Sequence, residues 1–256
     1  MTSSPRHPPR AVTFDLWQTL MFEEGTGRGD LRIRDGVEAL RRAGIAIEPE
    51  QLGNAIRSVG VETSADHDRG VDRLFTERMA QILDTAAPSA RGTLTEAQFE
   101  AFSRAIDEPF LVHSPSIYPE ALGVLRSLAE KDFRIALISN VGSTSPGVYK
   151  RFLDREGIGQ YLEVLAFSNE LAVAKPAAEM FRHTLEQLGV AAEHALHVGD
   201  NLHADVGGAK DAGMATVWIK GVREQEFDDH EPLIPPDYTI SGLDELPEVV
   251  DRWVGA

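Results

Sequence analysis

AVTFDLWQTL (residues 11–20) begins as a buried strand, β-branched at Val12 and Thr13 and aromatic at Phe14, and stops at a carboxylate, Asp15. The apolar run is too short for an ordinary helix. A single Asp at a strand end is commonly a turn or capping residue. The meaning of Asp15 therefore depends on what the rest of the chain brings beside it, and that depends on how the remaining elements alternate.

Downstream, the pattern is first helical and then mixed. LRIRDGVEALRRAG, PEQLGNAIRSVGVE, VDRLFTERMAQILD and TEAQFEAFSRAIDEPFL place apolar residues three and four apart with charges between them, which predicts four helices with no intervening strand. Thr95, with Gln98 three residues on, has the form of a capping box. After Tyr118-Pro119, helices alternate with strands: PEALGVLRSLAEKD, then FRIALISN; GVYKRFLDREG, then VLAF; AAEMFRHTLEQLGV closing on Gly189, then HALHVGDN; ADVGGAKDAG, then ATVWI; and finally YTIS before LDELPEVVDRWV. Such alternation predicts an α/β fold with a parallel sheet and right-handed crossovers. The expected organisation is a Rossmann-like parallel-sheet core from 11–22 and 112–256, an inserted all-helical subdomain at 23–111, and a disordered Pro- and Arg-rich leader at 1–10. Gly25-Thr26-Gly27 reads as a hinge into the insertion, and 225–238 as a loop.

Composition narrows the partners. Of 256 residues, 42% are hydrophobic and 26% charged, as expected of a folded globular protein. With 41 acidic against 25 basic residues the formal net charge is −16, which disfavours nucleic acid and requires a local positive site for any anionic ligand. There is no cysteine, hence no disulfide framework. No apolar run approaches the ~20 residues of a membrane span, and the N-terminus lacks a signal-peptide core, so the expectation is a cytoplasmic protein without a membrane partner, monomeric or homodimeric.

In an open parallel sheet, ligands gather at the carboxyl ends of the strands. Three predicted strands end there in polar residues: Asp15, Ser139-Asn140 and Gly199-Asp200. Lys175-Pro176 precedes a predicted helix nearby in the order of elements. Two carboxylates from different strands suit a hard cation such as Mg²⁺, and a hydroxyl and an ammonium beside them suit phosphate oxygens.

In this order the motifs resemble the haloacid dehalogenase superfamily of hydrolases, and the resemblance runs through nearly the whole chain. The superfamily's D-x-D-x-T motif is matched by Asp15-Leu16-Trp17-Gln18-Thr19 except at the second Asp. Its strand ending in Ser or Thr is matched by ALISN with Ser139, its lysine by Lys175, and its G-D-x-x-x-x-D motif by Gly199 to Asp205. The helical insertion resembles the cap of phosphoglycolate-phosphatase-like and dehalogenase-like members. The resemblance implies hydrolysis of a small phosphorylated metabolite with Asp15 as nucleophile, passing through an aspartyl-phosphate. It further implies Mg²⁺ held by Asp15, the Trp17 backbone carbonyl, Asp200 and Asp205, and phosphoryl oxygens held by Ser139, Asn140 and Lys175, with Ser139 and Lys175 also catalytic.

Trp17 is the misfit. In phosphatase members, the residue at that position protonates the leaving alcohol and activates water, and indole does neither. Acyl or aryl phosphates would need no such proton; alternatively Asp66, His67 or Asp68 would substitute. Dehalogenating members resemble this chain in carrying an aromatic residue there, because a halide leaves without a proton, but their fourth motif is typically metal-free. Phosphonate hydrolysis through a cap lysine is disfavoured, as no Lys precedes Lys131. The remaining alternative is a weakly active or non-catalytic relative that binds a phosphorylated ligand or a protein partner. Arg28-Gly29-Asp30 reads as a chance loop tripeptide, His194 and His197 as packed histidines, His203 as a surface residue, and Phe181 and Trp218 as core.

Overall fold

The computed structural model describes residues 8–23, 27–90, 92–220 and 234–255. Most of the expected leader, Gly25 and Thr26 of the expected hinge and most of the 225–238 loop fall outside this set. Arg10 already belongs to the fold: its carbonyl accepts from Arg134 N at 3.0 Å and its guanidinium lies over the Trp253 ring.

Six parallel strands form the central sheet: β1 (Ala11–Phe14), β4 (Arg134–Ser139), β5 (Val164–Phe167), β6 (Ala195–Gly199), β7 (Ala215–Ile219) and β8 (Tyr238–Ile240), in the order β5-β4-β1-β6-β7-β8. The first strand thus lies inside the sheet, and the chain winds outward on one side of it before crossing to the other. That reversal sets the crevice between β1 and β6, at whose carboxyl end the chain places Asp15 and Asp200.

The strands are nearly continuous in apolar residues because both faces are covered. On one face Val12, Phe14, Ile135, Leu137, Leu196, Val198 and Val217 share a core with α6 (Ala121–Glu130), α7 (Pro146–Arg155) and α11 (Leu246–Gly255). On the other, Ala11, Ala136, Ile138 and Ala195 pack on α9 (Ala178–Leu188) and α10 (Gly208–Asp211), with Phe181 fully buried. Each fully buried Leu, Ile, Val or Phe here contributes about 1.5–3 kcal/mol relative to exposure. Gly189 closes α9 in the left-handed region at φ 63°, as its position suggested.

Between β2 (Met21–Phe22) and β3 (Ser116–Ile117), which pair antiparallel, the described residues make five helices: α1 (Arg28–Arg42), α2 (Pro49–Asp68), α3 (Phe75–Ala86), α4 (Glu96–Asp107) and the one-turn α5 (Pro109–Val112). Their own core includes Leu40, Leu52, Met79, Ile82, Phe102 and Ile106. Thr95 forms the expected capping box, accepting from Gln98 N while Gln98 Oε1 accepts from Thr95 N at 2.9 Å. The β2–β3 ribbon was not legible in sequence, since two residues per strand carry no periodicity. The helix expected over 204–213 is also altered: Leu202–Gly207 is a π-type turn before the short α10, with Asp205 N and Val206 N both donating to Asn201 O.

The insertion is tied to the sheet's carboxyl edge. Arg78, 1% exposed on α3, donates to the carbonyls of Val141 (2.8 Å) and Gly142 (2.5 Å) and pairs with Asp72. Asp107 accepts from Ser145 N at 2.8 Å and Ser145 Oγ at 2.5 Å, and Ala174 N donates to Gly70 O at 3.1 Å.

Candidate active site

Asp15 extends the β1 ladder by one residue, its N–H donating to Val198 O at 2.9 Å, so its side chain emerges beside the end of β6. Carboxylate oxygens of Asp15, Asp200 and Asp205 lie within 4.8 Å of one another, and all three residues are buried. Gly199 is what lets Asp205 reach this place: a Cβ at position 199 would sit 2.2 Å from the Asp205 carboxyl carbon. The second Asp205 oxygen accepts from Asn201 N at 2.9 Å, and the Asn201 side chain in turn caps the following turn through His203 N and Ala204 N, each at 2.9 Å. The Asp200 carbonyl accepts from Trp218 Nε1 at 2.9 Å, so Trp218, read as core, is half-buried and anchors this loop.

Lys175, 2% exposed, enters from the segment before α9 and donates from Nζ to Asp15 Oδ1 and Asp205 Oδ1, both at 2.6 Å. Its backbone is fixed by Asn140, whose carboxamide gives one bond to Lys175 O and takes one from Lys175 N, both at 2.8 Å. Asn140, expected among the phosphate-holding groups, thus has its side chain committed to positioning the lysine. Ser139 is fully buried at the end of β4.

The cluster's electrostatics follow from burial and pairing. Burial raises the Asp15 carboxyl, Lys175 opposes this and Asp205 reinforces it, leaving Asp15 above the usual carboxylate range. Burial acts the same way on Asp205, but the Lys175 charge and the His197 hydrogen bond outweigh it and hold Asp205 well below that range. Lys175 stays above the ordinary lysine value, because its two carboxylates outweigh its desolvation.

Trp17 points toward the helical insertion. Its indole N–H donates to Tyr149 Oη at 3.3 Å, its ring meets Phe110 edge-on at 6.3 Å, and the Arg28 guanidinium lies 5.7 Å from its centroid. Of the suggested substitute proton carriers, His67 is bonded to Asp72 at 2.9 Å and Asp66 is paired with Arg69. The carbonyl of Asp68 faces His203 Nε2 at 3.2 Å, so His203 bridges the fourth motif to the insertion rather than facing solvent alone.

A model of the haloacid dehalogenase-like hydrolases matches residues 9–213, spanning the strands and loops that build this cluster. The chain belongs to the haloacid dehalogenase-like hydrolase family. The hydrolase is 30% identical to the glyceraldehyde 3-phosphate phosphatase of Methanopyrus kandleri, over 94% of this chain and 97% of that one. It is also 30% identical to the phosphoserine phosphatase of Thermus thermophilus, over 68% and 63% of the respective chains. Among solved structures, the 2-haloacid dehalogenase of Pseudomonas syringae pv. Tomato superposes with a TM-score of 0.68 at 25% identity, covering 96% of this chain and 99% of that one.

Residues that sequence reading had not assigned to the site also touch the cluster of the hydrolase. His197, packed edge-on against Phe181 as a core histidine would be, places Nε2 3.3 Å from Asp205 Oδ1 and shares a 2.8 Å hydrogen bond through Nδ1 with Thr13. Both are polar residues inside apolar strands, and Thr13 and His197 are direct register partners of β1 and β6. Their signal was the coincidence of two polar breaks on neighbouring strands. Arg78 and Asp72 carried no motif at all.

Proposed function

We propose that the hydrolase cleaves small phosphorylated metabolites through an aspartyl-phosphate on Asp15, with a divalent cation, Mg²⁺, held by Asp15, Asp200, Asp205 and the Trp17 carbonyl. The buried Asp15–Asp200–Asp205 cluster with Lys175 bridging two of its members is the observation that carries this reading. Three carboxylates against one ammonium leave an excess of negative charge, and the donors are hard oxygens, so the residues present fit Mg²⁺. Bound there, Mg²⁺ would neutralise phosphoryl oxygens as charge develops on them. Asp15 supplies the attacking oxygen: its bond to phosphorus forms as the bond to the leaving oxygen breaks, and water then cleaves the aspartyl-phosphate to regenerate the carboxylate. Lys175 and Ser139 hold the transferring oxygens, and Asn140, His197 and Thr13 keep the lysine and Asp205 in place. The helical insertion acts as the cap over this edge.

Trp17 shapes the substrate range. General acid and base assistance is worth roughly 10²–10⁴ in rate, and an indole offers none. Acyl and aryl phosphates, whose leaving groups depart without a proton, are therefore the favoured substrates. The phosphatases among the relatives support phosphate as the reacting group.

A second reading is 2-haloacid dehalogenation. Two observations favour it: the aromatic residue at position 17 and the overall likeness to the Pseudomonas dehalogenase. Asp15 would then displace halide from carbon. The two further carboxylates at the site weigh against an anionic halo-acid binding without a cation.

Incubation with acetyl phosphate, p-nitrophenyl phosphate and 2-chloropropionate, each with Mg²⁺ and with EDTA, separates the readings. Phosphate release that needs Mg²⁺ and disappears in Asp15→Asn is the expected result. Chloride release without phosphate release transfers the site to the dehalogenase reading, and silence on every substrate points to a ligand-binding role.

A further inference from the structure

Where α1 meets the loops after β1 and β4 lies a cavity of about 330 Å³ lined by Trp17, Glu23, Arg28, Arg32, Thr144 and Tyr149, among others. Arg28 and Arg32 are one helical turn apart on α1 and so share a face. In a chain of net charge −16, two guanidiniums and two aromatic rings on one cavity are a local reversal of sign.

The two arginines differ in what already holds them. Arg28, 7% exposed, is paired with Glu23 and lies 5.0 Å from the Phe110 centroid and 5.7 Å from that of Trp17, so it is fixed in place. Arg32 has no carboxylate bonded to it among the described residues: Nη2 donates to Thr144 Oγ1 at 2.6 Å, and Nε is buried without a partner. The acidic group nearest in effect, Asp107, is already engaged by Ser145. Burial lowers both guanidiniums from their ordinary value, Arg28 to about 10. A cation so desolvated and only partly bonded gains most from an arriving anion.

We propose that this cavity is a second-anion subsite, in which Arg32, flanked by Arg28 and walled by Trp17 and Tyr149, receives a carboxylate or phosphate on the part of the substrate remote from the reacting phosphoryl group. This deepens the phosphatase reading and rests on it for the word substrate, although binding at the cavity is measurable without turnover. Trp17 stands two residues from Asp15 and lines the cavity, and a small molecule bound as proposed would reach from one to the other. A guanidinium fork meets either anion in bidentate fashion.

Three compounds of matched frame test it: phenyl phosphate, 4-carboxyphenyl phosphate and 1,4-phenylene bisphosphate. Their phenolic leaving groups suit a site without a proton donor at position 17. With Mg²⁺, at least one anionic-tail compound is expected to exceed phenyl phosphate in kcat/KM by roughly 10- to 100-fold, the worth of a charge-assisted bond to a partly buried cation. Arg32→Gln is expected to bring that ratio toward one, mainly through KM, and Arg32→Lys to restore part of it; thermal melts establish that both variants fold. Whichever tail gains more identifies the anion as carboxylate or phosphate. Calorimetric titration of the same compounds into Asp15→Asn, with and without Arg32→Gln, reads the cavity alone. If none is turned over yet binding of the anionic tails still depends on Arg32, the phosphoryl-transfer reading falls and the subsite stands. Equal use of all three compounds, or an Arg32→Gln variant that weakens all three alike, overturns the subsite and leaves Arg32 as a tie between α1 and Thr144.

Discussion

Replacing Lys175 with Met keeps the length of the side chain and removes the cation between Asp15 and Asp205. In the wild type, the ammonium gives one 2.6 Å bond to each carboxylate in a fully buried setting. At an effective dielectric of about 20, opposite charges about 4 Å apart attract by about 4 kcal/mol, so the gross attraction to two partners is about 8 kcal/mol. Much of that offsets the desolvation of Lys175, and the loss expected on removing one partner of such a buried group is about 3–5 kcal/mol. The pH dependence has a definite sign. Lys175 is raised above 10.5, so its contribution is complete below that value and is lost only in strong alkali as pH rises through the folded-state pKa. In Lys175→Met the two carboxylates repel, and Asp15, already raised by burial, takes up a proton first as pH falls. The stability gap between variant and wild type therefore narrows on acidification. Urea unfolding in EDTA at pH 7.5 and pH 5 measures both quantities. A loss below about 1 kcal/mol at pH 7.5, or a gap that widens toward pH 5, refutes the assignment of Lys175 as the counter-charge of this cluster.

Two further perturbations address the proton carrier and the attachment of the helical insertion. Trp17→Asp supplies the carboxylate absent from the first motif and is expected to raise kcat for an alkyl phosphate by roughly 10²–10⁴ while changing acetyl phosphate far less; equal changes on both substrates in steady-state assays would show that proton transfer is not what position 17 controls. Asp72 is pushed up by burial but held below its ordinary 3.8 by the His67 hydrogen bond and the Arg78 charge, so its contribution is present above pH 3.8 and is lost as pH falls through the lower folded value. Asp72→Asn is accordingly expected to cost about 3–5 kcal/mol in urea melts at pH 7 and less below pH 3, and an unchanged gap across that range would sink the ion-pair account of this latch.

How much of this was readable beforehand depended on the range of the interaction. Strands such as Ala215–Ile219 and caps such as Thr95 and Gly189 are set by residues a few positions apart, and local pattern found them. The three polar strand ends converged because a parallel sheet forces its carboxyl ends to one edge, so topology did the gathering once the alternation was recognised, and Lys175 joins them from the segment before α9. What local pattern lacked was pairing across long separations. Thr13 and His197 meet only through the β1–β6 register, 184 positions apart, and Arg78 finds the Val141 and Gly142 carbonyls only after the insertion has folded onto the sheet. Asn140 is the instructive case: its place beside Ser139 marked it for the site, but its amide is symmetric in donor and acceptor and so fits a backbone segment, here that of Lys175, as well as it fits a phosphate.

Trp17 is better understood as an exchange than as a loss. A carboxylate at that position would face the leaving group, but it would also sit near Arg28 and Glu23 and alter the charge of the neighbouring cavity. The indole instead adds a flat wall, braced edge-on by Phe110 and tied to Tyr149, while burial, against the opposing pull of the Trp17 hydrogen bond and the Arg32 and Arg28 charges, holds the Tyr149 phenol up at about 12 and so keeps it neutral at physiological pH. With no titrating carboxylate or phenolate on this wall, the charge presented to a ligand is set by Arg28, Arg32 and Glu23 alone among the residues named here. Under the proposed function, the indole thus removes proton assistance for hard leaving groups and preserves a positive, aromatic-walled recess for an anionic tail. If the hydrolase acts as proposed, both consequences select for one kind of molecule: a phosphate ester or anhydride whose leaving group departs unaided and carries a second negative charge.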